Sequence, residues 1–228
     1  MKSNLATYSR DGFSIVPDLL TPVECLALKA EAQRILREHA AGKATVFVGA
    51  ACVSPLFYEL ASHPKIVEVL SEIMPDGIAF LSDKIVFKSR EQHFATPWHN
   101  DAFYWRDTRP KLSVWIALDE VMADNGALKV LPGSQAREWQ ALQSDGATTN
   151  REFTNVVQEI TWRPDEEVIC ELPAGGAIFF SDRLLHASMP NTSGADRFSL
   201  ISTYHAPASD EEFDLQFKAR HVIRSAPE

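Results

Sequence analysis

Three residues carry the strongest chemical signal in this chain: His99, Asp101 and His186. The first two form a His-x-Asp pair within the segment 96–101, and His186 ends the much later segment 179–186. Two neutral imidazoles and one carboxylate can occupy one face of an octahedral metal ion and leave the opposite face open, as in non-heme Fe(II) oxygenases. The three residues therefore predict an iron site that activates oxygen.

The spacing of these residues predicts the elements that carry them. Side chains two apart on an extended strand point to the same side, so His99 and Asp101 can reach one ion while Asn100 faces away. The segment contains Pro97 and several aromatics but no helical apolar period, which favours a strand end or a loop. The apolar run before His186 follows turn-forming residues at 173–176 and predicts a strand that ends at the same site.

Arg197 opens an alternating segment, 197–204, eleven residues after His186. In a strand, Arg197, Ser199, Ile201 and Thr203 share one face, so the guanidinium can point into a cavity between strands. A buried guanidinium requires an anionic partner. Because the planar fork of arginine binds a carboxylate at two places, Arg197 predicts a dicarboxylate cosubstrate.

The order and separation of several motifs resemble the phytanoyl-CoA dioxygenase family of Fe(II)- and 2-oxoglutarate-dependent oxygenases over most of the chain. The motifs are Asp-Gly-Phe-Ser-Ile-Val-Pro-Asp-Leu-Leu at 11–20, His-Asn-Asp at 99–101, Ser-Val-Trp-Ile-Ala-Leu-Asp at 113–119, Asn-Gly-Ala-Leu-Lys-Val-Leu-Pro-Gly-Ser at 125–134, then His186 and Arg197. Each motif alone is weak, but their order is specific.

This resemblance implies a role for each site residue. His99, Asp101 and His186 would hold iron, Arg197 and Ser188 would bind the distal carboxylate of 2-oxoglutarate, and Trp115 would lie near this cosubstrate. The family's reaction consumes 2-oxoglutarate and O2, releases succinate and CO2, and oxidises a C–H bond of a substrate. Related halogenases have a small residue at the carboxylate position, so Asp101 favours hydroxylation, desaturation or cyclisation.

The chain departs from the family pattern at two positions. Asn100 stands between the ligands where the family often has Gln, and Gln135 follows Pro-Gly-Ser where the family often has His. Both side chains are expected to lie away from the iron.

The remaining pattern predicts a mainly β protein with flanking helices, of the α+β class. Thr21, Pro22 and Glu24 predict a helix start, the helix running to about residue 39 with Leu26, Ala30 and Leu36 buried, and a second helix spans 64–74. Short apolar or alternating runs follow at 78–88, 111–119, 127–131, 168–172, 177–181, 197–205 and 217–223. Many short strands separated by turns predict a sandwich or a double-stranded β-helix, a cupin-like jelly roll.

The length of 228 residues suits one domain, 1–228, with helical support at 1–76 and a jelly-roll core at 77–228. Residues 134–166 are the least regular part of this core, and 144–150 lack any apolar period. Long loops inside compact domains are often lids, so 134–166 is a candidate substrate cover, with a plain surface loop as the alternative.

Composition excludes several classes of function. A net charge of −9 argues against a nucleic-acid-binding surface. No apolar run approaches the ~20 residues of a membrane span, and a cytoplasmic protein is expected. The three cysteines, Cys25, Cys52 and Cys170, are scattered, which predicts free thiols rather than disulfides or a zinc site.

Other polar and aromatic residues have two readings each. Lys84 and Lys88 share one face of the 78–88 strand and either approach cosubstrate or substrate or are solvated edge lysines. Trp98, Phe103, Tyr104 and Trp105 are cavity walls or core residues. His39, His63, His93, His205 and His221 are expected to be structural.

Three other classes of protein stay open at this point. A cupin-like zinc or manganese enzyme could use the same ligands but would not need Arg197. An iron- and 2-oxoglutarate-binding sensor would have identical ligands. A purely structural β-sandwich would bury a polar triad at high cost without a metal. The expected partner is a small, partly apolar molecule, and the residues do not indicate an oligomeric state.

Overall fold

Two antiparallel β-sheets pack against each other in a computed structural model of the chain. The structure describes residues 4–39, 45–91, 93–105, 108–143, 155–207 and 212–226. The helices are α1 (Asn4–Asp11), α2 (Pro22–His39), α3 (Pro55–Leu60), α4 (Pro64–Ile73) and α5 (Glu212–Leu215).

The strands follow in short segments, as a jelly roll requires. They are β1 (Phe13–Val16), β2 (Val46–Val48), β3 (Ile78–Lys88), β4 (Thr96–His99), β5 (Leu112–Ala117), β6 (Leu128–Val130), β7 (Ala141–Gln143), β8 (Asn155–Val157), β9 (Val168–Cys170), β10 (Ala177–Ser181), β11 (His186–Ser188), β12 (Arg197–His205) and β13 (His221–Arg224).

The larger sheet, called the major sheet below, has the order β1-β10-β5-β12-β3-β13, with β2 also paired to β3. The smaller, or minor, sheet has the order β4-β11-β6-β9, and β7 pairs with β8 in a separate hairpin. All strand pairs are antiparallel. The predicted fold class, a mainly β jelly roll with flanking helices, is confirmed.

Alternation along β5 shows how the two faces of the major sheet are used. Leu112, Val114 and Ile116 pack into one core cluster with apolar residues of α2, α3 and α4. Trp115 and Ala117 point the other way, into a second cluster shared with β6 and β9 of the minor sheet. The helices therefore cover the outer face of the major sheet, and its inner face is turned toward the minor sheet.

The sequence predictions for the longer elements agree with the structure. The runs 78–88, 177–181 and 197–205 are β3, β10 and β12, and the helices at 21–39 and 64–74 are α2 and α4. Thr21 and Glu24 form the predicted capping box: the Thr21 amide donates to the Glu24 carboxylate, and the Glu24 amide donates to the Thr21 hydroxyl.

Several details of the prediction are corrected. Leu26 and Ala30 of α2 are exposed, because the buried face of this helix consists of Cys25, Leu28, Ala32, Ile35 and Leu36. The run 217–223 yields only β13, which begins at His221 and extends to Arg224. The short elements α1, α3, β1 and β2 were not predicted.

The irregular region 134–166 contains β7 and β8, with one short 3-10 turn at Ser134–Ala136 and another at Pro164–Glu166. The loop 144–150 lies outside the described residues. Within the described ranges, no helix combines the length and the apolar composition needed to cross a bilayer.

Candidate active site and metal centre

His99 and His186 come together because their strands are neighbours in the minor sheet. They are directly opposite each other in the pairing of β4 with β11, and their ring centroids are 4.2 Å apart. Asp101 begins a 3-10 turn at Asp101–Phe103. The Asn100 side chain accepts a hydrogen bond of 3.1 Å from the Phe103 amide. Asn100 therefore faces away from His99 and Asp101, as its position between them predicts.

Hydrogen bonds to the backbone fix both imidazole rings. The His99 Nδ1 lies 2.8 Å from the Pro97 carbonyl oxygen, and the His186 Nδ1 lies 3.0 Å from the Leu184 carbonyl oxygen. A carbonyl oxygen only accepts, so each Nδ1 carries the proton and each Nε2 presents a lone pair. Burial, reinforced by His186, lowers the pKa of His99 to about 3, which keeps this ring neutral.

The Asp101 carboxylate completes the group. Its Oδ1 lies 4.0 Å from the His99 Nε2 and 3.9 Å from the His186 Nε2. Its Oδ2 accepts a 3.2 Å hydrogen bond from the Ser113 hydroxyl on the major sheet. Burial alone would raise the pKa of Asp101, but the neighbouring His186, Lys84 and His99 outweigh it and hold the pKa below its ordinary value. The side chain is therefore an anion.

These three residues fit a metal ion. The ligand atoms of His99, Asp101 and His186 all lie within 4.8 Å of one another, and no other group of His, Cys, Asp and Glu in the described ranges meets this criterion. Two neutral nitrogens and one carboxylate oxygen are the donor set of a facial triad for Fe(II). The cysteines Cys25, Cys52 and Cys170 are free, as predicted.

The histidines outside this group have structural surroundings. His63 lies 3.2 Å from a Glu24 oxygen, and His221 stacks on Tyr58. His205 lies 3.8 Å from the buried Asp214. These contacts agree with the structural reading of the sequence.

Arg197 at the start of β12 is almost completely buried, with an exposed fraction of 1%. Its Nε and Nη2 donate to the carbonyl oxygens of Asn125 and Gly126, and its Nη1 donates to the Ser199 hydroxyl at 2.6 Å. The Trp115 ring lies 5.5 Å from the guanidinium carbon. Burial lowers the pKa of Arg197 to about 10, so the group is still charged at neutral pH.

Lys88 is the second buried basic side chain at this end of the cavity. It is the cross-strand partner of Arg197 in the pairing of β3 with β12, and its exposed fraction is 1%. Its Nζ donates to the Ser188 hydroxyl at 2.7 Å and to the Met189 carbonyl at 2.6 Å. Burial, with a further contribution from Arg197, lowers the pKa of Lys88 to about 6. The solvated-edge reading of Lys88 is wrong, because β3 lies inside the sheet.

The backbone leaves room for these two cations. Gly126 has a φ of +99°, and a Cβ at this position would lie 2.8 Å from the Lys88 side chain and 3.1 Å from the Arg197 Nη2. The Ser188 hydroxyl also donates to the Thr96 hydroxyl at 2.8 Å. Within the described part of the chain, neither Arg197 nor Lys88 forms an ion pair with a carboxylate. The two basic side chains and the hydroxyls therefore form a built site for an anion.

One cavity of about 370 Å³ contains both the triad and the anion pocket. Tyr104 and Trp105 line it, as predicted for part of the aromatic group. Trp98 instead packs against Trp162 on the far side of β4, and Phe103 lines a different surface depression. Val46, Val48, Val86 and Leu128 add apolar wall to the cavity.

Comparisons with known proteins agree with this geometry. The sequence model described as "Phytanoyl-CoA dioxygenase (PhyH)" matches residues 8–199. The L-proline trans-4-hydroxylase of Streptomyces griseoviridis is 25% identical, over 87% of this chain and 84% of that protein. An ectoine dioxygenase of Sphingopyxis alaskensis is 26% identical, over 88% of this chain and 74% of that protein.

A solved structure with the same fold is that of the epimerase SnoN in complex with Fe3+, alpha ketoglutarate and nogalamycin RO. Its TM-score is 0.72 at 23% identity, covering 88% of this chain and 81% of that one. The fold and the cavity thus define an oxygenase that uses iron and 2-oxoglutarate. This chain belongs to the phytanoyl-CoA dioxygenase family.

Sequence reasoning named most of the polar residues that meet in this cavity, but it missed several in or beside it and the apolar wall residues Val46, Val48 and Phe94. His99, Asp101, His186, Ser188, Trp115 and Arg197 all line it. Thr96, Ser113 and Gly126 were not singled out. Ser113 could have been found, since it lies two residues before Trp115 on β5 and therefore shares its face. Gln135 lies outside the cavity, and its amide donates to the Arg10 carbonyl.

Proposed function

We propose that this protein hydroxylates an unactivated C–H bond of a small molecule, with His99, Asp101 and His186 as the iron ligands. Arg197, Lys88 and Ser188 bind the distal carboxylate of 2-oxoglutarate, and Trp115 lies beside it. The observation that carries the proposal is the meeting, in one cavity, of two neutral imidazoles and a carboxylate with two buried basic side chains that form no ion pair within the described residues.

Each part of the cavity has a separate task in this reaction. When bound, iron and O2 supply the oxidation, which converts 2-oxoglutarate to succinate and CO2 and oxidises the substrate. The backbone carbonyls of Pro97 and Leu184 hold the imidazoles with Nε2 turned inward. Arg197 supplies a fixed fork for a carboxylate, and Lys88 supplies a point charge beside it. The cosubstrate is therefore oriented before the substrate binds.

Asp101 decides between outcomes of this oxidation. Its carboxylate occupies the third ligand position and is held by the Ser113 hydroxyl. A halide cannot take this position while the carboxylate is present. The proposal is accordingly hydroxylation, or desaturation or cyclisation by the same oxidant, rather than halogenation.

The cavity walls favour a substrate with a partly apolar body. Val46, Val48, Val86, Tyr104 and Trp105 line the cavity. The compounds named by the two relatives, L-proline and ectoine, are the first substrates to test. A cytoplasmic location belongs to the same proposal and is supported by the free thiols.

The region 134–166 is proposed as a cover of the cavity within one domain of 1–228, with 1–76 as support and 77–228 as the core. Its support is a contact between the cavity wall and β8. The Tyr104 hydroxyl donates to the Asn155 carbonyl at 3.0 Å and accepts from the Asn155 amide at 3.2 Å. Tyr104→Phe should weaken this contact and lower the yield of product per succinate formed. An unchanged ratio of product to succinate would mean that 134–166 is an ordinary surface loop.

The decisive experiment supplies the purified protein with Fe(II), 2-oxoglutarate and O2 and measures succinate and product mass over a library of small molecules. An oxygenase forms succinate slowly alone and faster with its substrate, and the product is heavier by one oxygen atom. His186→Ala serves as the inactive control. If 2-oxoglutarate binds tightly but no compound raises succinate above the substrate-free rate, the protein is a sensor instead.

A further inference from the structure

Lys84 lies in the middle of β3, on the same face as Lys88 but at a different end of the cavity. Residues 84, 86 and 88 alternate to one face, and all three line the cavity. Four strand residues separate the two lysines by roughly 13 Å along β3. Lys84 is paired with Val48 of β2 on one side and Ile201 of β12 on the other. It therefore stands among apolar wall residues, away from Arg197.

The two lysines also differ in their contacts. Lys88 is fully buried and donates to Ser188 and Met189. Lys84 is half-buried, and within the described ranges its ammonium forms no hydrogen bond and no ion pair. A long charged side chain usually reaches water or a partner when its stem is packed. Lys84 lines the cavity in which the reaction takes place, so the partner of its ammonium is expected in this cavity.

Lys84 is one of the groups that lower the pKa of Asp101, but the oxygens of this carboxylate contact other residues. Asp101 Oδ1 faces the two histidines, and Oδ2 accepts from Ser113. In the loaded site, the positive charges of iron, Arg197 and the Lys88 ammonium already exceed the negative charges of Asp101 and the two carboxylates of 2-oxoglutarate. Lys84 is then an uncompensated positive charge that faces the space left for the substrate.

We propose that Lys84 binds a carboxylate of the substrate, so that the substrate class is small carboxylic acids with an apolar body. This inference rests on the proposed function and narrows it. A single ammonium among valines suits a singly charged carboxylate, whereas a phosphate would require further donors. The carboxylate at Lys84 places the rest of the substrate against Val46, Val48 and Tyr104, beside the triad.

Benzoate and its neutral analogue benzamide test the proposal without knowledge of the true substrate. Both are titrated by calorimetry into the protein loaded with Fe(II) and saturating 2-oxoglutarate, without oxygen, so that Arg197 and Lys88 are already occupied. The wild type should bind benzoate about tenfold more tightly than benzamide, the effect of one charge-assisted contact. Lys84→Gln should remove this preference and Lys84→Arg should keep it. Lys218→Gln, an exposed lysine on the surface, is the matched control.

One spectroscopic readout separates a local effect of Lys84→Gln from a damaged protein. The absorbance of the anaerobic complex with iron and 2-oxoglutarate should be the same in Lys84→Gln as in the wild type. Equal affinity of the wild type for benzoate and benzamide, absence of benzoate binding, or a preference that survives in Lys84→Gln would each overturn the proposal. Failure of the proposed function looks different: the benzoate preference would be present, but no carboxylic acid would raise succinate formation.

Discussion

The two walls of the cavity obtain their polar groups in opposite ways. The minor sheet supplies neutral imidazoles whose outer nitrogens are bound to backbone carbonyls. The major sheet supplies two basic groups, the charged Arg197 and Lys88, which are buried without a carboxylate partner among the described residues. Neutral, hydrogen-bonded groups are inexpensive to bury, whereas isolated charges are costly.

This difference indicates which wall depends on its ligand. The minor-sheet side of the cavity, called the metal wall, is held in place by strand pairing and backbone hydrogen bonds before any ion binds. The major-sheet side, called the anion wall, places the Arg197 guanidinium beside Lys88, and burial together with Arg197 lowers the pKa of Lys88 to about 6, so both groups become fully charged only when an anion binds. We therefore expect substitutions on the metal wall to abolish chemistry, and substitutions on the anion wall to act through cosubstrate affinity.

The largest effect is expected on the metal wall. His186→Ala removes one of two neutral nitrogen donors, so iron binding should be lost and succinate formation should fall to background. Iron content and succinate release measure this. His39→Ala, at the exposed end of α2, is the control and should retain both. A His186→Ala protein that still binds one iron per chain would remove His186 from the ligand set.

The second-largest effect is expected on the anion wall. Arg197→Ala leaves the dicarboxylate without its fork, and truncating one side of a buried charged pair costs on the order of 2–5 kcal/mol. Affinity for 2-oxoglutarate should therefore fall by about a hundredfold, since each 1.4 kcal/mol is about tenfold. Iron binding should survive because Arg197 is not a ligand. Unchanged affinity in an anaerobic titration of the charge-transfer absorbance would contradict the cosubstrate assignment.

Lys88→Met and Lys84→Met form a matched pair on one strand face. The first removes a charge inside the anion pocket, and the loss of one charge-assisted hydrogen bond should lower 2-oxoglutarate affinity by about tenfold. The second removes a charge outside this pocket and should leave that affinity close to the wild-type value. The same anaerobic titration measures both. Equal losses would mean that both lysines act on the cosubstrate through long-range charge alone.

Lys84 and Lys88 also show the limit of prediction from the sequence. Alternation along 78–88 correctly placed both lysines on one face of β3, and the same reasoning placed Arg197 inside the cavity. Alternation states which side chains share a face but not what stands opposite each one. Lys88 meets Ser188 and Met189 from β11 and the residue after it, a contact across a hundred residues. Only the tertiary structure shows that the surroundings of Lys88 differ from those of Lys84.

Short elements were the other limit of the sequence. The long strands β3 and β12 have enough residues for a period of two to be recognised, whereas β2 has three residues. Its Val46 and Val48 line the cavity because β2 pairs with β3, not because of any local pattern. The candidate metal ligands could be recognised in the sequence for the opposite reason: a His-x-Asp pair has a chemical meaning that does not depend on its surroundings.

The smallest effect concerns pH and comes from Lys88. Burial holds its pKa at about 6, so at pH 7 to 8 the free protein carries mostly the neutral amine, while Arg197 beside it stays charged. A bound carboxylate favours the ammonium and raises this pKa, so binding takes up a proton. Affinity for 2-oxoglutarate should therefore fall as pH rises above about 6, by at most about tenfold per pH unit for one proton. His99, with a pKa of about 3, does not titrate in this range.

Calorimetry of 2-oxoglutarate binding in two buffers with different ionisation enthalpies measures the proton uptake directly. Lys88→Met should bind more weakly at pH 6 but show a flat pH dependence, since the titrating group is gone. Lys84→Met should keep the wild-type slope, which makes it the control for loss of a lysine on the same strand. A slope that persists in Lys88→Met would show that another group titrates. A wild-type affinity that does not change between pH 6 and 8 would show that the ammonium is already charged in the free protein. The anion wall would then hold two full positive charges before its ligand arrives, and Arg197→Ala should stabilise the ligand-free protein by relieving their repulsion.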